Sequence, residues 1–330
     1  MRPNHVALLL SLFSILAVMV DVAGAHGLAG KRFFPATLAT EDPFVADELS
    51  LPTILHIKRR AEGERPATRE TEVSGEFSKR LSPNFGVSLG GAWRLLDPDG
   101  GKSVTGFDNL EVALKYQFFR SDAHETLLSL GLSWDVGGTG GRKVEAEKFD
   151  TITPALFFGK GFGDLPTALD VMKPVAVTGQ FGVAIPTRRI SKRLVEGEEE
   201  GSLEVEREVN PAVGQWGFSV QYNLQYLQSY VRDIGLPAPL NRMIPIVEVV
   251  METPLDAPAG NGRVTGTINP GIIWFGRYVQ LGVEAVIPMN ARSGKNVGVI
   301  GQIHFYLDDI APKIFSWTPF HGVLGPTQSR

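Results

Sequence analysis

Apolar and polar residues alternate one by one along much of this chain, and this period of two limits the possible folds more than any other feature. The segment Gln215–Tyr226 is the clearest case. Its apolar positions are Trp216, Phe218, Val220, Tyr222, Leu224 and Tyr226. Glycine, serine, glutamine or asparagine fills the positions between them. Because successive side chains of a β-strand point to opposite sides, the pattern predicts a strand with one apolar face.

The same alternation recurs along the rest of the chain. The further segments are Thr53–Arg60, Glu72–Arg80, Phe85–Leu95, Leu110–Phe118, Leu128–Val136, Thr151–Phe162, Val175–Ile185, Met243–Glu252, Val264–Phe275, Val279–Ile287 and Val297–Leu307. Together they predict about twelve strands of roughly ten residues, the length that a tilted strand needs to cross a bilayer. Strands of soluble sheets are usually shorter, about five or six residues.

The connections between these segments alternate in length. The short ones are Ser82–Asn84, Arg120–Glu125 and Gly276–Arg277, and the long ones are Ala61–Arg69, Asp97–Asn109, Gly137–Lys148 and Pro186–Ala212. Transmembrane barrels show this asymmetry, with tight periplasmic turns and long external loops. Gln228–Arg242 and Asn290–Asn296 fit the rule less well. The sequence predicts an all-β fold, a single transmembrane antiparallel β-barrel of about twelve strands, with a soluble β-sandwich as the alternative.

The N-terminus predicts export. Arg2 precedes the apolar run Val6–Val20, and Ala23-Gly24-Ala25 offers the small residues that a signal peptidase cleaves. The run is shorter than the roughly 20 residues of a spanning helix. We therefore expect a cleaved signal peptide over 1–25, a periplasmic N-terminal segment over 26–50, the barrel over 51–307 and a periplasmic C-terminal tail over 308–330. The mature protein is expected in the outer membrane.

Composition and motifs exclude several classes of function. The formal net charge of −4 argues against nucleic-acid binding, and the absence of cysteine excludes thiolate metal sites and a cysteine nucleophile. Gly86-Val87-Ser88-Leu89-Gly90 matches the nucleophile-elbow motif, but Ser88 falls within a predicted strand rather than at a strand-to-helix turn. The histidines show no metal-ligand spacing. We expect no enzyme activity, metal or cofactor.

Charged and polar residues on the non-apolar face are the candidate site residues, because an arginine or lysine facing lipid at the midplane costs about 2–4 kcal/mol. The predicted lumen-lining residues are Arg94, Glu111, Lys115, Asp135, Gln221, Glu248, Glu252, Glu284 and His304. Their mixed signs argue against a pore that strongly selects anions or cations.

Two short stretches carry a family resemblance. They are Asp42-Pro43-Phe44-Val45-Ala46-Asp47-Glu48-Leu49, followed by Leu51-Pro52-Thr53, and His304-Phe305-Tyr306-Leu307-Asp308-Asp309-Ile310-Ala311-Pro312. With the barrel pattern between them, they resemble the meta-pathway-of-phenol-degradation family of outer-membrane β-barrel proteins. The resemblance implies a barrel that moves small solutes, aromatic or hydrophobic ones among them. It implies no catalytic or ligand-binding residue.

These observations lead to two functional hypotheses. The first is a channel-like barrel with a narrow lumen that passes small solutes, partly plugged by the N-terminal segment or the tail. The second is a structural or surface-interaction barrel with a closed lumen. Outer-membrane lipids are the expected surroundings, and the barrel-assembly machinery and periplasmic chaperones are the expected partners during biogenesis.

Overall fold

The computed structural model of the protein describes residues 27–61, 66–196, 203–256 and 264–320, and the side chains of all these except 192–196, 203–206 and 208. Twelve long strands form one antiparallel sheet. They are β1 (Glu48–Arg59), β2 (Thr68–Ser82), β3 (Phe85–Pro98), β4 (Leu110–Ser121), β5 (Thr126–Val136), β6 (Thr151–Gly161), β7 (Val175–Pro186), β8 (Val213–Tyr222), β9 (Met243–Pro254), β10 (Thr265–Phe275), β11 (Val279–Pro288) and β12 (Gly298–Tyr306).

The sheet closes on itself, because the last strand pairs with the first. His304 of β12 lies opposite Ser50 of β1, and Gln302 lies opposite Thr53. Each strand thus has a hydrogen-bonding neighbour on both sides, which removes the unpaired edges of an open sheet. The predicted barrel is confirmed, and the alternative of a sandwich is wrong.

Apolar side chains cover the outside of the barrel. In β8, Phe218 and Val220 are exposed, while Ser219 and Gln221, which alternate with them, are buried inside. Outward apolar residues of other strands are exposed in the same way: Leu89, Leu130, Leu132, Trp134, Phe181, Ile268, Ile272, Val283 and Val299. Polar side chains inside and apolar ones outside reverse the arrangement of a soluble domain.

One predicted strand is shorter than expected. The alternation of Gln215–Tyr226 continues as far as Tyr226, but β8 ends at Tyr222. Asn223 then starts a helical turn by accepting a hydrogen bond from the Tyr226 N–H through its side chain at 2.9 Å. Such an N-cap redirects the chain, so Leu224 and Tyr226 do not belong to the outer face of the strand, and Tyr226 is buried.

The first strand starts earlier than expected. β1 begins at Glu48, and its pairing register shifts between Ser50 and Thr53. Pro52 has no N–H to donate at this bulge. The extra residue places both Ser50 and Thr53 opposite inward residues of β12, which interrupts the alternation. The sequence therefore shows a regular alternation only from Thr53 onwards.

The barrel has two distinct ends. The terminal end carries residues 27–47, residues 307–320 and five links: 83–84, 122–125, 162–174, 223–242 and 276–278. The loop end carries the connections that the sequence predicts as external, and two of them contain strands: residues 104–107 pair with β3, and residues 190–196 pair with 203–209. Within the described residues no helix is long and apolar enough to span a membrane. The predicted signal peptide lies outside the described residues.

A pair of epitope insertions tests which end faces outward. A tag after Thr139, in the loop-end connection between β5 and β6, should bind antibody on intact cells. A tag after Gly276, in the tight turn between β10 and β11, should bind only after permeabilisation. The opposite result would show that the predicted orientation of the barrel is wrong.

Candidate functional site in the barrel lumen

The N-terminal segment lies inside the barrel. After a small hairpin formed by residues 28–29 and 32–33, residues 34–47 run without regular secondary structure to the start of β1. Their hydrogen-bond partners are inward side chains of β4, β5, β7, β9 and β11. We call residues 34–47 the lumen segment. This placement agrees with the hypothesis of a lumen partly plugged by the N-terminal segment. The predicted bounds of 26–50 for that segment overlap the first strand, which begins at Glu48.

Glu248 of β9 binds the lumen segment through its backbone. The Glu248 carboxylate accepts hydrogen bonds from the N–H groups of Leu38, Ala39 and Thr40 at 2.8, 2.9 and 2.6 Å. The glutamate is fully buried. Hydrogen bonds to a charged acceptor contribute about 1.5–3 kcal/mol each, which makes this contact a strong link between the segment and the wall.

Apolar packing reinforces the same contact. Leu38 belongs to a buried cluster on the inner wall with Ile57, Ile244, Ile246, Ile273, Val286 and Ile300. Gly282 of β11 leaves the space for Leu38, because a Cβ atom at this glycine would lie 2.6 Å from Leu38 Cδ1. A bulkier residue at position 282 would therefore push the segment off the wall.

Glu284 of β11 differs from Glu248 although both are buried on this wall. The Glu284 carboxyl group lies next to the carboxylate of Glu248, so a second negative charge there would be repelled. A buried charge without a partner is costly. A neutral side chain therefore suits position 284, whereas position 248 needs its negative charge.

Four more side chains satisfy the backbone of the lumen segment. Gln280 donates to the Ala36 carbonyl at 2.7 Å, and Gln180 accepts from the Glu41 N–H at 2.8 Å. Lys115 donates to the Asp42 carbonyl at 2.9 Å, and the Ser129 hydroxyl donates to the Pro43 carbonyl. Since these side chains come from opposite parts of the wall, the segment crosses the lumen.

Arg32 anchors the segment where it enters the barrel. This fully buried guanidinium donates to Glu125 at 3.0 Å and to the Pro174 carbonyl at 2.9 Å, and it lies 3.8 Å from the centre of the Tyr226 ring. The Tyr226 hydroxyl donates to Glu125 at 2.9 Å. Burial, helped by the negative charge of Glu125, raises the pKa of Tyr226 to about 12, so the hydroxyl keeps its proton.

Asp47 fixes the other end of the segment, next to β1. Its buried carboxylate accepts from Lys79 Nζ at 2.7 Å, from the Arg80 N–H at 2.8 Å and from Arg80 Nε at 2.7 Å. Arg80 also pairs with Asp308, which follows β12. This cluster joins the segment to the seam of the barrel, where the first and last strands meet.

A cavity of about 200 Å³ lies between the lumen segment and the walls of β2 to β8. Phe44, Val45 and Ala46 line one side of it. Acidic residues dominate the charged lining, which comprises Glu41, Glu48, Glu76, Glu111, Asp135, Lys79 and Lys115. Lys115 is already paired with Glu41 and Asp42 of the segment, at 3.5 and 3.8 Å.

Glu111 and Asp135 lie directly opposite each other on β4 and β5, and both face the cavity. Lys115 attracts Glu111 and Arg94 attracts Asp135, but both of these cations are paired with other carboxylates. Like charges in such a cross-strand pair destabilise the sheet. Their presence gives the cavity a local excess of acidic side chains.

The structure places all nine predicted lumen-lining residues on the inner face, but these residues differ in what they contact. Lys115 and Glu248 bind the lumen segment, and Gln221 bonds to Thr178 and Ser219 on the wall. Arg94 pairs with Glu72 and Asp108. His304 lies 3.3 Å from Glu48. Glu111 and Asp135 face the cavity, Glu252 lies on the exposed loop-end part of β9, and Glu284 is buried.

The sequence did not reveal Arg32, Asp47, Glu125, Gln180 or Gln280. Arg32 and Asp47 belong to irregular chain, and Glu125 belongs to a turn. The two glutamines fall on the non-apolar face of predicted strands, so the alternation itself could have identified them.

Matched substitutions test the role of Glu248. We expect Glu248→Gln to speed hydrogen exchange at the amides of Leu38, Ala39 and Thr40 about tenfold or more, because the charged acceptor is lost. Glu252→Gln is the control, since it makes the same chemical change on the same strand, in its exposed loop-end part, and should leave these amides as slow as before. Equal effects of both substitutions would contradict the assigned role.

Comparisons with known proteins show resemblance in architecture only. A scan against family models finds no match, and a search of curated proteins finds none. The similar solved structures include the β domain of the Bordetella autotransporter BrkA, at 13% identity and a TM-score of 0.44, covering 79% of this chain and 99% of that one. The NanC porin matches at 8% identity and 0.42, covering 77% and 98%, and Escherichia coli outer membrane phospholipase A at 10% and 0.37, covering 81% and 93%. The resemblance to the phenol-degradation family stays a prediction.

Proposed function

We propose that this protein is an outer-membrane barrel in which the lumen segment acts as a gate for small solutes. The observation that carries the proposal is the path of residues 34–47, which cross the lumen and are bound by side chains of both walls. A channel of this width needs only one chain segment to block it.

The outer surface supports insertion in a bilayer. Exposed apolar side chains surround the strands, and aromatic residues lie near both ends of the barrel. Trp134 and Trp216 lie near the loop end, and Tyr222 and Trp274 lie near the terminal end. Amphipathic rings prefer the two membrane interfaces, so the spacing of these residues matches an outer-membrane barrel.

The kind of contact that holds the lumen segment supports gating. Residues 34–47 do not join the barrel sheet, and their partners are mainly side chains of the wall. Displacing the segment breaks these contacts but leaves all strand pairs intact. All strands of the barrel can therefore remain paired while the lumen segment moves and the lumen opens.

The cavity lining favours small polar solutes with positive charge. Glu111 and Asp135 face the cavity, whereas Lys115 is neutralised by the lumen segment. Rings of carboxylates attract cations in pores. The aromatic solutes implied by the family resemblance have weaker support, since Phe44 and Phe157 are the aromatic side chains of the described lining and the Lys115 ammonium already lies over the Phe157 ring.

A barrel with a permanently closed lumen is the second candidate. The number of contacts favours it, because Glu248 accepts three bonds from the backbone of the segment, and Asp47 within it accepts three from β2. Arg32, which precedes the segment, adds bonds to Glu125 and the Pro174 carbonyl. Such a protein would act through its loop end, without transport.

A disulfide lock distinguishes the two candidates. The chain has no cysteine, so Leu38→Cys with Gly282→Cys would form the only possible bridge. A Cβ atom at Gly282 would lie 3.2 Å from Leu38 Cγ, the position that a sulfur atom would take, and the substitution at 38 removes the methyl groups that would clash. We expect openings in planar bilayers to disappear in the oxidised protein and to return with reductant, while the openings of Leu38→Cys alone should not respond to reductant.

An unlocking variant completes this test. Arg32→Ala with Glu248→Gln removes two anchors, and we expect it to open more often than wild type. If wild type, locked and unlocked proteins are all non-conducting, the gating proposal is wrong and the closed-lumen barrel is supported.

Ion selectivity tests the role of the cavity carboxylates. We expect Glu111→Gln with Asp135→Asn to reduce the preference for K⁺ over Cl⁻, measured as a shift of the reversal potential towards zero in a KCl gradient. The control, Asp97→Asn with Asp99→Asn, removes the same charge from the loop-end surface and should shift it little, since exposed charges are screened by salt. Equal shifts would contradict a cation-attracting cavity.

A further inference from the structure

The described part of the C-terminal tail bends round the rim of the barrel. After β12, residues Leu307–Ile310 and Pro312–Phe315 form two short helices. The chain then returns to β2, where the Phe320 N–H donates to the Leu81 carbonyl at 2.9 Å. The tail is therefore attached to the terminal end of β2 rather than free.

Phe77 places the tail on the outer side of the barrel, and Lys79 holds it at the rim. Phe315 lies edge-on to Phe77, an outward residue of β2, with the ring centres 6.3 Å apart. Lys79 donates to the carbonyls of Phe315 and Trp317 at 2.8 and 2.6 Å. These bonds hold the backbone of the tail against the barrel and leave its other side chains directed away.

The outer surface of this tail is strongly apolar. Ile310, Ile314, Trp317 and Phe320 are 46%, 67%, 62% and 57% exposed. Exposure of so many large apolar side chains to water within eleven residues is unfavourable. Contiguous exposed apolar patches of this kind mark interaction sites. The backbone bonds of Lys79 prevent the segment from turning this face towards the barrel.

We propose that residues 310–320 lie in the headgroup region of the periplasmic leaflet and that lipid covers their apolar face. The inference rests on the proposed membrane location of the barrel. Phe77 joins the tail to the apolar outer surface, so the two faces are continuous. A tryptophan with nearby lysines, Lys79 and Lys313, is typical of a membrane interface.

A second segment at the same end shows the same character. Leu169, Val171 and Met172, in the link between β6 and β7, are exposed. The hydroxyl of Tyr222, an outward residue of β8, donates to the Val171 carbonyl at 3.1 Å. Interfacial segments on two sides of the terminal end fix the depth of the barrel in the leaflet.

Single spin labels provide the test, since the chain has no cysteine of its own. The full-length protein is reconstituted in vesicles of phosphatidylethanolamine and phosphatidylglycerol with labels at Ile314, Val220 or Thr139. We expect the Val220 label to be relaxed by oxygen and protected from an aqueous nickel reagent. The Thr139 label should respond to nickel, and the Ile314 label should lie between, with nickel accessibility several-fold below that of Thr139.

Each outcome has one meaning. A Val220 label protected from both reagents would overturn the membrane location itself. A lipid-exposed Val220 with an Ile314 label as accessible to nickel as Thr139 would overturn the interfacial tail alone. Protection of Ile314 from both reagents would show that protein covers it, which also overturns the inference.

A paired variant separates lipid contact from simple attachment. Ile314→Ser with Trp317→Ser replaces two exposed side chains, so the fold should be retained. We expect the nickel accessibility of a label at Phe320 to rise several-fold in this variant. An unchanged value would mean that contacts with the barrel, not with lipid, determine the position of the tail, and would overturn the inference.

Discussion

The carboxylate of Glu248 illustrates the constraint on which the interior of this barrel depends. Irregular chain inside a barrel has no ladder of its own, yet each buried N–H and C=O group needs a partner. Glu248 supplies partners for three consecutive N–H groups, and Gln180 and Gln280 supply further ones on other strands. Much of the polar character of the lumen is therefore determined by the backbone of residues 34–47.

This constraint changes the meaning of polar residues on the inner face. The Glu248 carboxylate binds backbone N–H groups of the lumen segment, whereas Glu111 and Asp135 face the cavity and remain available to a solute. Arg94 is a third case, because Glu72 and Asp108 neutralise it across the wall. The charged residues of the inner wall thus form three groups: those that bind the lumen segment, those that pair with one another on the wall, and those that face the cavity. Only the last group can select ions.

Period-two alternation was sufficient to predict the barrel, because outward side chains repeat strictly wherever strands pair on both sides. It failed where local chemistry overrides the repeat. Asn223 caps a helical turn, although Leu224 and Tyr226 continue the alternation of apolar residues. Pro52 lies at a bulge that interrupts the alternation near the start of β1. The lumen segment has no period to detect. Two of its partners, Lys115 and Glu248, were predicted on the inner face, but their contact with residues 34–47 joins residues far apart in sequence.

The position of Asp47 determines how the lumen segment can move. This residue is bonded to Lys79 and Arg80 of β2, and its carbonyl accepts from the Leu307 N–H at 2.9 Å, so it ties together the first two strands and the C-terminal tail. Releasing Asp47 would disturb the barrel seam, where β12 meets β1. The contacts of Arg32 and Glu248 involve no strand pairing, so they can break without that cost. Any opening of the lumen must therefore pivot near Asp47 and begin with the loss of Arg32 and Glu248 contacts, and the same salt-bridge cluster keeps the tail in place while the segment moves.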